Sequence, residues 1–165
     1  MLIEDKFINR ETLPYRQGVL GIVLNKHKEV LVVQMVSYGK NDWRFPGGGI
    51  NDKESPDQAL LRELKEELGS ENFSIVAQSK YRNLYEWDEG TIRWSYGKHG
   101  RLYRGQEQHI FLVSFGGEYS DIIIDPGELK SFKWISLGQL PAHLTFPGQM
   151  DVIQKVIDEL ITGLG

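Results

Sequence analysis

The segment from Ser55 to Gly69 constrains this chain most, because both ends of a helix are written into it. Ser55 suits the N-cap, Pro56 the first helical position, and Gln58 completes a capping box with Ser55. Gly69 suits a left-handed C-cap. The spacing therefore predicts a helix over 56–68, about 20 Å long at 1.5 Å per residue. At about 100° per residue, Leu60, Leu61, Leu64 and Leu68 form an apolar stripe expected to face a core. Glu63, Glu66 and Glu67 form the neighbouring stripe, with the small Ala59 one turn earlier. Glu63 stands at i, i+3 and i+4 from the other two, and each such like-charge pair costs a few tenths of a kcal/mol. Arg62 can neutralise part of that charge, and a solvated acidic face would carry the same pattern. A carboxylate stripe beside a core also suits a hard cation such as Mg²⁺ or Mn²⁺.

Most of the remaining apolar sequence reads as strand. Candidates are 18–25 and 30–36, joined by a polar turn as a hairpin, then 73–79, 91–96, 108–115, 121–124 and 131–136. A second long helix is expected near 147–161, its Ile153, Val156, Ile157 and Leu160 forming the packing stripe. Many strands with two good helices predict a mixed sheet flanked by helices. The length of 165 residues fits one domain over 1–165, and 40% apolar residues can fill its core. With no cysteine, disulfide scaffolds, zinc–thiolate sites and cysteine nucleophiles are excluded, and a cytoplasmic location is expected. No apolar run is long enough to span a bilayer, and the first ten residues do not read as a signal peptide. A net charge of −4 argues against binding nucleic acid through a broad basic surface.

Upstream of the helix, Trp43-Arg-Phe-Pro-Gly-Gly-Gly-Ile50 runs from a short strand into a glycine turn. Gly48, Glu54, Arg62-Glu63-Leu64-Lys65-Glu66-Glu67-Leu68-Gly69 then follow at a fixed spacing, the box covering 48–70. This pattern resembles the Nudix box of the Nudix hydrolases. Its final position, usually aliphatic, is Ser70 here, which touches packing and not the acids. The resemblance implies an α/β/α sandwich around a mixed sheet. It also implies a hydrolase that uses Mg²⁺ or Mn²⁺ to cleave a phosphoanhydride. By motif position, Glu63, Glu66, Glu67 and the Gly48 carbonyl would hold metal, with Glu63 as an alternative base. Glu128, in Asp125-Pro-Gly-Glu128, resembles a further metal-binding or base carboxylate; otherwise it is an exposed turn acid. Arg62 is expected to pair with Glu54 or Glu66 and so hold the loop on the helix, with Glu54 and Arg62 in a structural role.

Outside the box, Tyr15-Arg16, Tyr103-Arg-Gly-Gln-Glu-Gln108 and Glu128-Leu-Lys-Ser-Phe-Lys-Trp134 are similar to the branch holding RNA 5′-pyrophosphohydrolases and asymmetric dinucleoside-tetraphosphate hydrolases. Gly47 and Val36-Ser37 stand where that branch often has Gln and Arg, which leaves substrate choice open. The resemblance implies a nucleotide substrate or an RNA 5′ end as partner. Arg16 and Arg104 are the expected polyphosphate contacts, with Arg93, Lys98, His99 and Arg101 nearby. Tyr85 and Phe146 are the expected base-stacking residues, chosen over Tyr81, Trp87 and Trp94; Trp134 is expected in the core. Hydrolysis of a nucleotide sugar is the alternative reaction. A nucleotide sensor without turnover is less favoured, because every box carboxylate is present.

Overall fold

A computed structural model describes residues 8–162. Residues 1–7, which carry much of the expectation that no signal peptide is present, lie outside the described residues. The elements run β1 (Tyr15–Leu24), β2 (Val30–Met35), β3 (Gly47–Gly49), α1 (Pro56–Leu68), β4 (Phe73–Glu86), α2 (Glu89–His99), β5 (Gly105–Phe115), β6 (Leu129–Ile135), α3 (Leu140–His143) and α4 (Gln149–Leu160). Strand order is β4-β5-β1-β2-β6, with β3 paired to β1. The β1–β5 pair is parallel, and the others are antiparallel, so the sheet is mixed.

Strand alternation sorts the core onto two faces. Val19, Val23, Phe111 and Val113 pack with Ala59, Leu60, Leu64 and Leu68 of α1. Leu20, Ile22, Ile110 and Leu112 pack with Ile153, Val156 and Ile157 of α4. The result is the expected α/β/α sandwich. Each fully buried leucine or isoleucine contributes about 1.5–3 kcal/mol relative to exposure. No described helix is long and apolar enough to cross a membrane.

Helix α1 has the expected ends: Ser55 and Gln58 form the capping box, and Gly69 is left-handed at φ 66°. Its buried arc differs from the leucine stripe. Ala59, Leu60, Glu63, Leu64, Glu67 and Leu68 are buried, which places Glu67 near the middle of the packed face. Leu61 lies off that arc and is 42% exposed. Ser70, at the irregular end of the box, accepts a hydrogen bond on Oγ from the Asn72 amide at 3.1 Å, closing the turn into β4.

Two expected strands are absent. Residues 91–96 belong to α2, because Asp88 caps the helix by accepting from the Thr91 amide and Gly100 ends it at φ 73°. Alternating Ile92, Trp94 and Tyr96 imitate a strand, yet the buried residues are Ile92 and Ser95, spaced at i, i+3. Residues 121–124 also form no strand. A 3-10 turn at Tyr119–Asp121 leads into an extended strap instead. The Ile123 and Asp125 amides donate to the carbonyls of Leu68 and Glu67 at 2.9 and 3.0 Å. The strap thus satisfies two of the carbonyls that a helix C-terminus leaves open. Strand β4 is longer than expected, since register shifts after Ile75 and Gln78 let it continue to Glu86. Trp134 is only partly buried, packed against the α1-side core.

Candidate active site

The acids of α1 lie in three different environments. Glu66 is exposed, Glu63 is 9% exposed, and Glu67 is fully buried. Glu63 faces the glycine strand β3, where a side chain on Gly48 would put its Cβ 2.4 Å from the Glu63 carboxylate. Only glycine allows the Gly48 backbone to approach that carboxylate so closely.

Arg62 ties the loop to the helix as expected. Its Nε and Nη2 donate to Glu54 at 2.7 and 2.9 Å, and Nη2 also reaches the Gly49 carbonyl at 2.9 Å. Its Nη1 donates to Glu63 at 2.9 Å and Glu66 at 3.3 Å. Charge-assisted bonds of this kind are short and directional. Arg62 pulls Glu54 below the usual carboxylate range, while Glu63 is pushed up by burial, with Arg62 opposing.

Glu67 meets Arg44, a residue the sequence reading left without a role. Arg44 bridges to Val33 of β2 by its backbone, and its Nη2 donates to Glu67 Oε1 at 3.0 Å. Its Nη1 holds the carbonyls of Phe45 and Gly47 at 3.3 and 3.2 Å. Glu67 Oε2 is buried and has no hydrogen-bond partner. Burial pushes the Glu67 carboxyl up to about 7, Arg44 opposes this, and the charges of Glu128 and Glu63 push it further up. Glu128 is therefore close enough for its charge to bear on both helix acids. The strap explains its placement: Asp125 is bonded to the end of α1, and the Glu128 amide donates to the Asp125 carbonyl at 3.0 Å.

Among the described residues, no three His, Cys, Asp or Glu side chains form a group that could hold a metal ion. The buried acids are turned towards Arg62 and Arg44. The donor chemistry nevertheless fits a hard divalent cation. It offers carboxylate oxygens, mutual repulsion among Glu63, Glu67 and Glu128, and an unpartnered oxygen on Glu67.

The buried acid gives a pH dependence. Glu67 moves from 4.5 unfolded to about 7 folded, so the folded state holds the proton longer. That stability is complete below the unfolded value and is lost as pH rises through the folded one, with a ceiling of about 3 kcal/mol. His99 and His109, both lowered by burial, slope the other way at pH values just below their ordinary one. The diagnostic is therefore the difference between wild type and Glu67→Gln. In thermal melts with chelator from about pH 5 to about pH 8, wild type is expected to lose stability relative to the variant. Parallel curves would contradict the burial argument.

On the opposite face of the sheet, a cavity of about 560 Å³ opens beside Arg44. Its lining includes Tyr38, Phe45, Tyr85, Phe146 and Gln149. Tyr38 and Phe146 lie 5.6 Å apart, centre to centre, at 58°. The structure thus brings Tyr85 and Phe146 together in one cavity, while Trp94 points to solvent at 65% exposure. Tyr38 and Gln149 were not singled out from sequence. Arg16 packs on the glycine strand, since a Cβ on Gly49 would lie 2.0 Å from its Nη2. Arg104 is bound to Glu86, with Nη2 at 2.8 Å, and its guanidinium stands 5.0 Å from the Tyr15 ring centre. Arg104, Tyr15 and Arg10 hold the Glu86 carboxyl down at about 2.

Comparison with known proteins adds an independent finding. A family model described as NUDIX domain matches residues 14–156. An RNA pyrophosphohydrolase of Orientia tsutsugamushi (strain Boryong) is 31% identical over 159 residues, covering 95% of this chain and 96% of that protein. An RNA pyrophosphohydrolase of Novosphingobium aromaticivorans is 37% identical over 154 residues, covering 89% and 92%. Among solved structures, the E. coli dihydroneopterin triphosphate pyrophosphohydrolase superposes with a TM-score of 0.67 at 18% identity, covering 90% of this chain and 99% of that one. A C. elegans Ap4A hydrolase in a binary complex gives 0.63 at 18% identity, covering 88% and 98%. These two likenesses speak for the fold.

Proposed function

The chain belongs to the NUDIX family, and we propose that it is a divalent-metal-dependent pyrophosphohydrolase acting on a nucleoside polyphosphate. The substrate is a 5′-triphosphorylated RNA end or a dinucleoside polyphosphate. The observation that carries this reading is that Glu63, packed against Gly48, feels the charge of Glu128, as does Glu67, which Arg44 joins to the edge of a cavity with aromatic walls. At about 560 Å³ the cavity has the volume of a small-molecule site. The names of the two RNA pyrophosphohydrolases favour the RNA end. Gly47 and the Val36-Ser37 pair weigh against it, because two polar side chains common in that branch are missing.

In this proposal Glu63, Glu66, Glu67, Glu128 and the Gly48 carbonyl hold Mg²⁺ or Mn²⁺. When bound, the ion neutralises phosphate charge and lowers the pKa of attacking water. Arg62 is the positioning residue, keeping Glu63 and the Glu54 loop in place. Arg44 holds Glu67 between the sheet and the acid face. Arg16 is the nearer polyphosphate contact, because no described residue forms an ion pair with it and it lies against Gly49. Arg104 also faces the substrate here, in competition with Glu86. Tyr85 and Phe146 stack on the base. A cytoplasmic location belongs to the same reading.

The test is a panel of triphosphorylated RNA, diadenosine tetraphosphate, a nucleotide sugar and nucleoside triphosphates, assayed with Mg²⁺. Either of the first two is expected to give the highest kcat/KM. A clear preference for the nucleotide sugar would replace this reading with the alternative reaction.

A further inference from the structure

Helix α2 concentrates positive charge in an acidic protein. Between Gly90 and Gln106 the chain carries Arg93, Lys98, Arg101 and Arg104 and no acid, although the net charge is −4. Arg93 pairs with Glu89 at 2.6 Å and Arg104 with Glu86 at 2.8 Å. Lys98 and Arg101 are exposed and form no ion pair among the described residues. Ile92 and Ser95 face inwards, so Gly90, Trp94, Gly97 and Lys98, at i, i+4, i+7 and i+8, share the outer face. Trp94 is 65% exposed, with the Lys98 ammonium 5.3 Å from its ring centre. Gly97, one turn after it, has no left-handed backbone to accommodate, and a Cβ there would meet nothing within 4 Å. Glycine weakens a helix interior, and no contact within the protein accounts for it here. What it provides is an open approach to the Trp94 ring.

This face runs from the cavity to the glycine strand. Leu84, Tyr85 and Glu86 of the cavity lining end β4, and α2 starts soon afterwards at Glu89. At the other end, partial burial and the charges of Arg16 and Lys98 hold His99 below its ordinary range, which places the end of α2 near Arg16. Arg16 lies against Gly49, beside the acids of α1. An occupant that complements the face carries repeated negative charge and flat rings free to stack. A single-stranded polynucleotide has both. A double helix keeps its rings covered, and an apolar protein segment would leave Lys98 and Arg101 unpaired.

We propose that α2 is a docking face for single-stranded RNA beyond its first nucleotide, where a base stacks on Trp94 while Lys98 and Arg101 hold backbone phosphates. The proposal rests on the pyrophosphohydrolase reading and deepens it, because such a face serves an RNA end and not a dinucleoside polyphosphate. Trp94 takes no part in the bond cleavage.

The first test is equilibrium binding to the full chain in chelator, so that it stands apart from turnover. The probes are AMP and a 5′-monophosphorylated single-stranded RNA of about eight nucleotides that begins with A, at one fixed salt concentration. Wild type is expected to bind the RNA at least about tenfold more tightly than AMP, the scale of one stacked base. In Trp94→Ala and Gly97→Glu that advantage is expected to shrink to about threefold or less. Gly97→Glu should melt no lower than wild type, since its side chain meets no protein group and glutamate is the better helix former. Trp94→Ala decides the question if Gly97→Glu fails to fold. Lys98→Gln is expected to reduce the slope of log affinity on log salt by about 0.7. Equal wild-type affinity for AMP and the RNA, or an RNA advantage unchanged in Trp94→Ala, would overturn the proposal.

The second test is turnover with Mg²⁺. In Trp94→Ala, kcat/KM for triphosphorylated RNA of the same length is expected to fall about tenfold, while that for diadenosine tetraphosphate stays within about twofold. An equal fall on both would mean that α2 acts on the catalytic groove, and would overturn the proposal. RNA binding that depends on Trp94, without turnover on any substrate, would sink the hydrolase reading and leave the docking face standing. Turnover on both substrates that ignores Trp94→Ala would do the reverse.

Discussion

Glu67→Gln is expected to lose at least about 10²-fold in kcat, a barrier increase of about 2.7 kcal/mol, while the metal-free protein melts no lower than wild type. The two halves of this result have one cause. Glu67 sits fully buried in the middle of the packed face of α1, an unfavourable place for a charge. Burial together with Glu63 and Glu128 disfavours its ionised form. An amide of the same size removes that penalty and still accepts from Arg44 on its oxygen. What it cannot do is supply the charge that a divalent cation needs. The readouts are kcat at saturating Mg²⁺ and the melting temperature in chelator at about pH 8. Near-normal kcat would reduce Glu67 to a packing residue, and a lower melting temperature would mean that the Arg44 pair outweighs the burial cost.

Arg44→Met is expected to destabilise the protein by about 2–4 kcal/mol near pH 8. Methionine keeps the apolar stem but strips the donors from Glu67 Oε1 and from the carbonyls of Phe45 and Gly47. Leaving one member of a buried pair unpaired is costlier than the pair is stabilising. The cost should be smaller by about 1 kcal/mol or more near pH 5, where Glu67 is protonated and only the carbonyls lack a partner. Chemical denaturation at the two pH values measures this directly. Equal costs at both would show that the ionic part of the contact contributes nothing.

How far the sequence could be read depended on the range of the interaction. Helix α1 was legible to the residue, because Ser55, Gln58 and Gly69 act on their own neighbours. The Glu54–Arg62 clamp was legible for a similar reason, with loop and helix joined by a short fixed spacing. The depth of Glu67 was not. A stripe drawn through the leucines put Leu61 inwards, whereas contact with the glycine strand and the strap rotates the buried arc towards the acids. Arg44 was invisible because its partner lies on another element and nothing local marks the pairing. Helix α2 shows a conflict between signals. Alternating apolar residues read as strand, and the Asp88 and Gly100 caps that override them were the available clue. Tyr38 and Gln149 come to line one cavity only when the loop after β2 and the start of α4 meet over the sheet.

The claim on which the rest depends is that the acids of α1 and Glu128 work through a divalent cation on a phosphoanhydride. It is tested most directly by following cleavage of diadenosine tetraphosphate and triphosphorylated RNA with the chelated protein, then adding back Mg²⁺. The account predicts that turnover disappears in chelator and returns with the metal. Full turnover by protein confirmed to be free of divalent cations would contradict it.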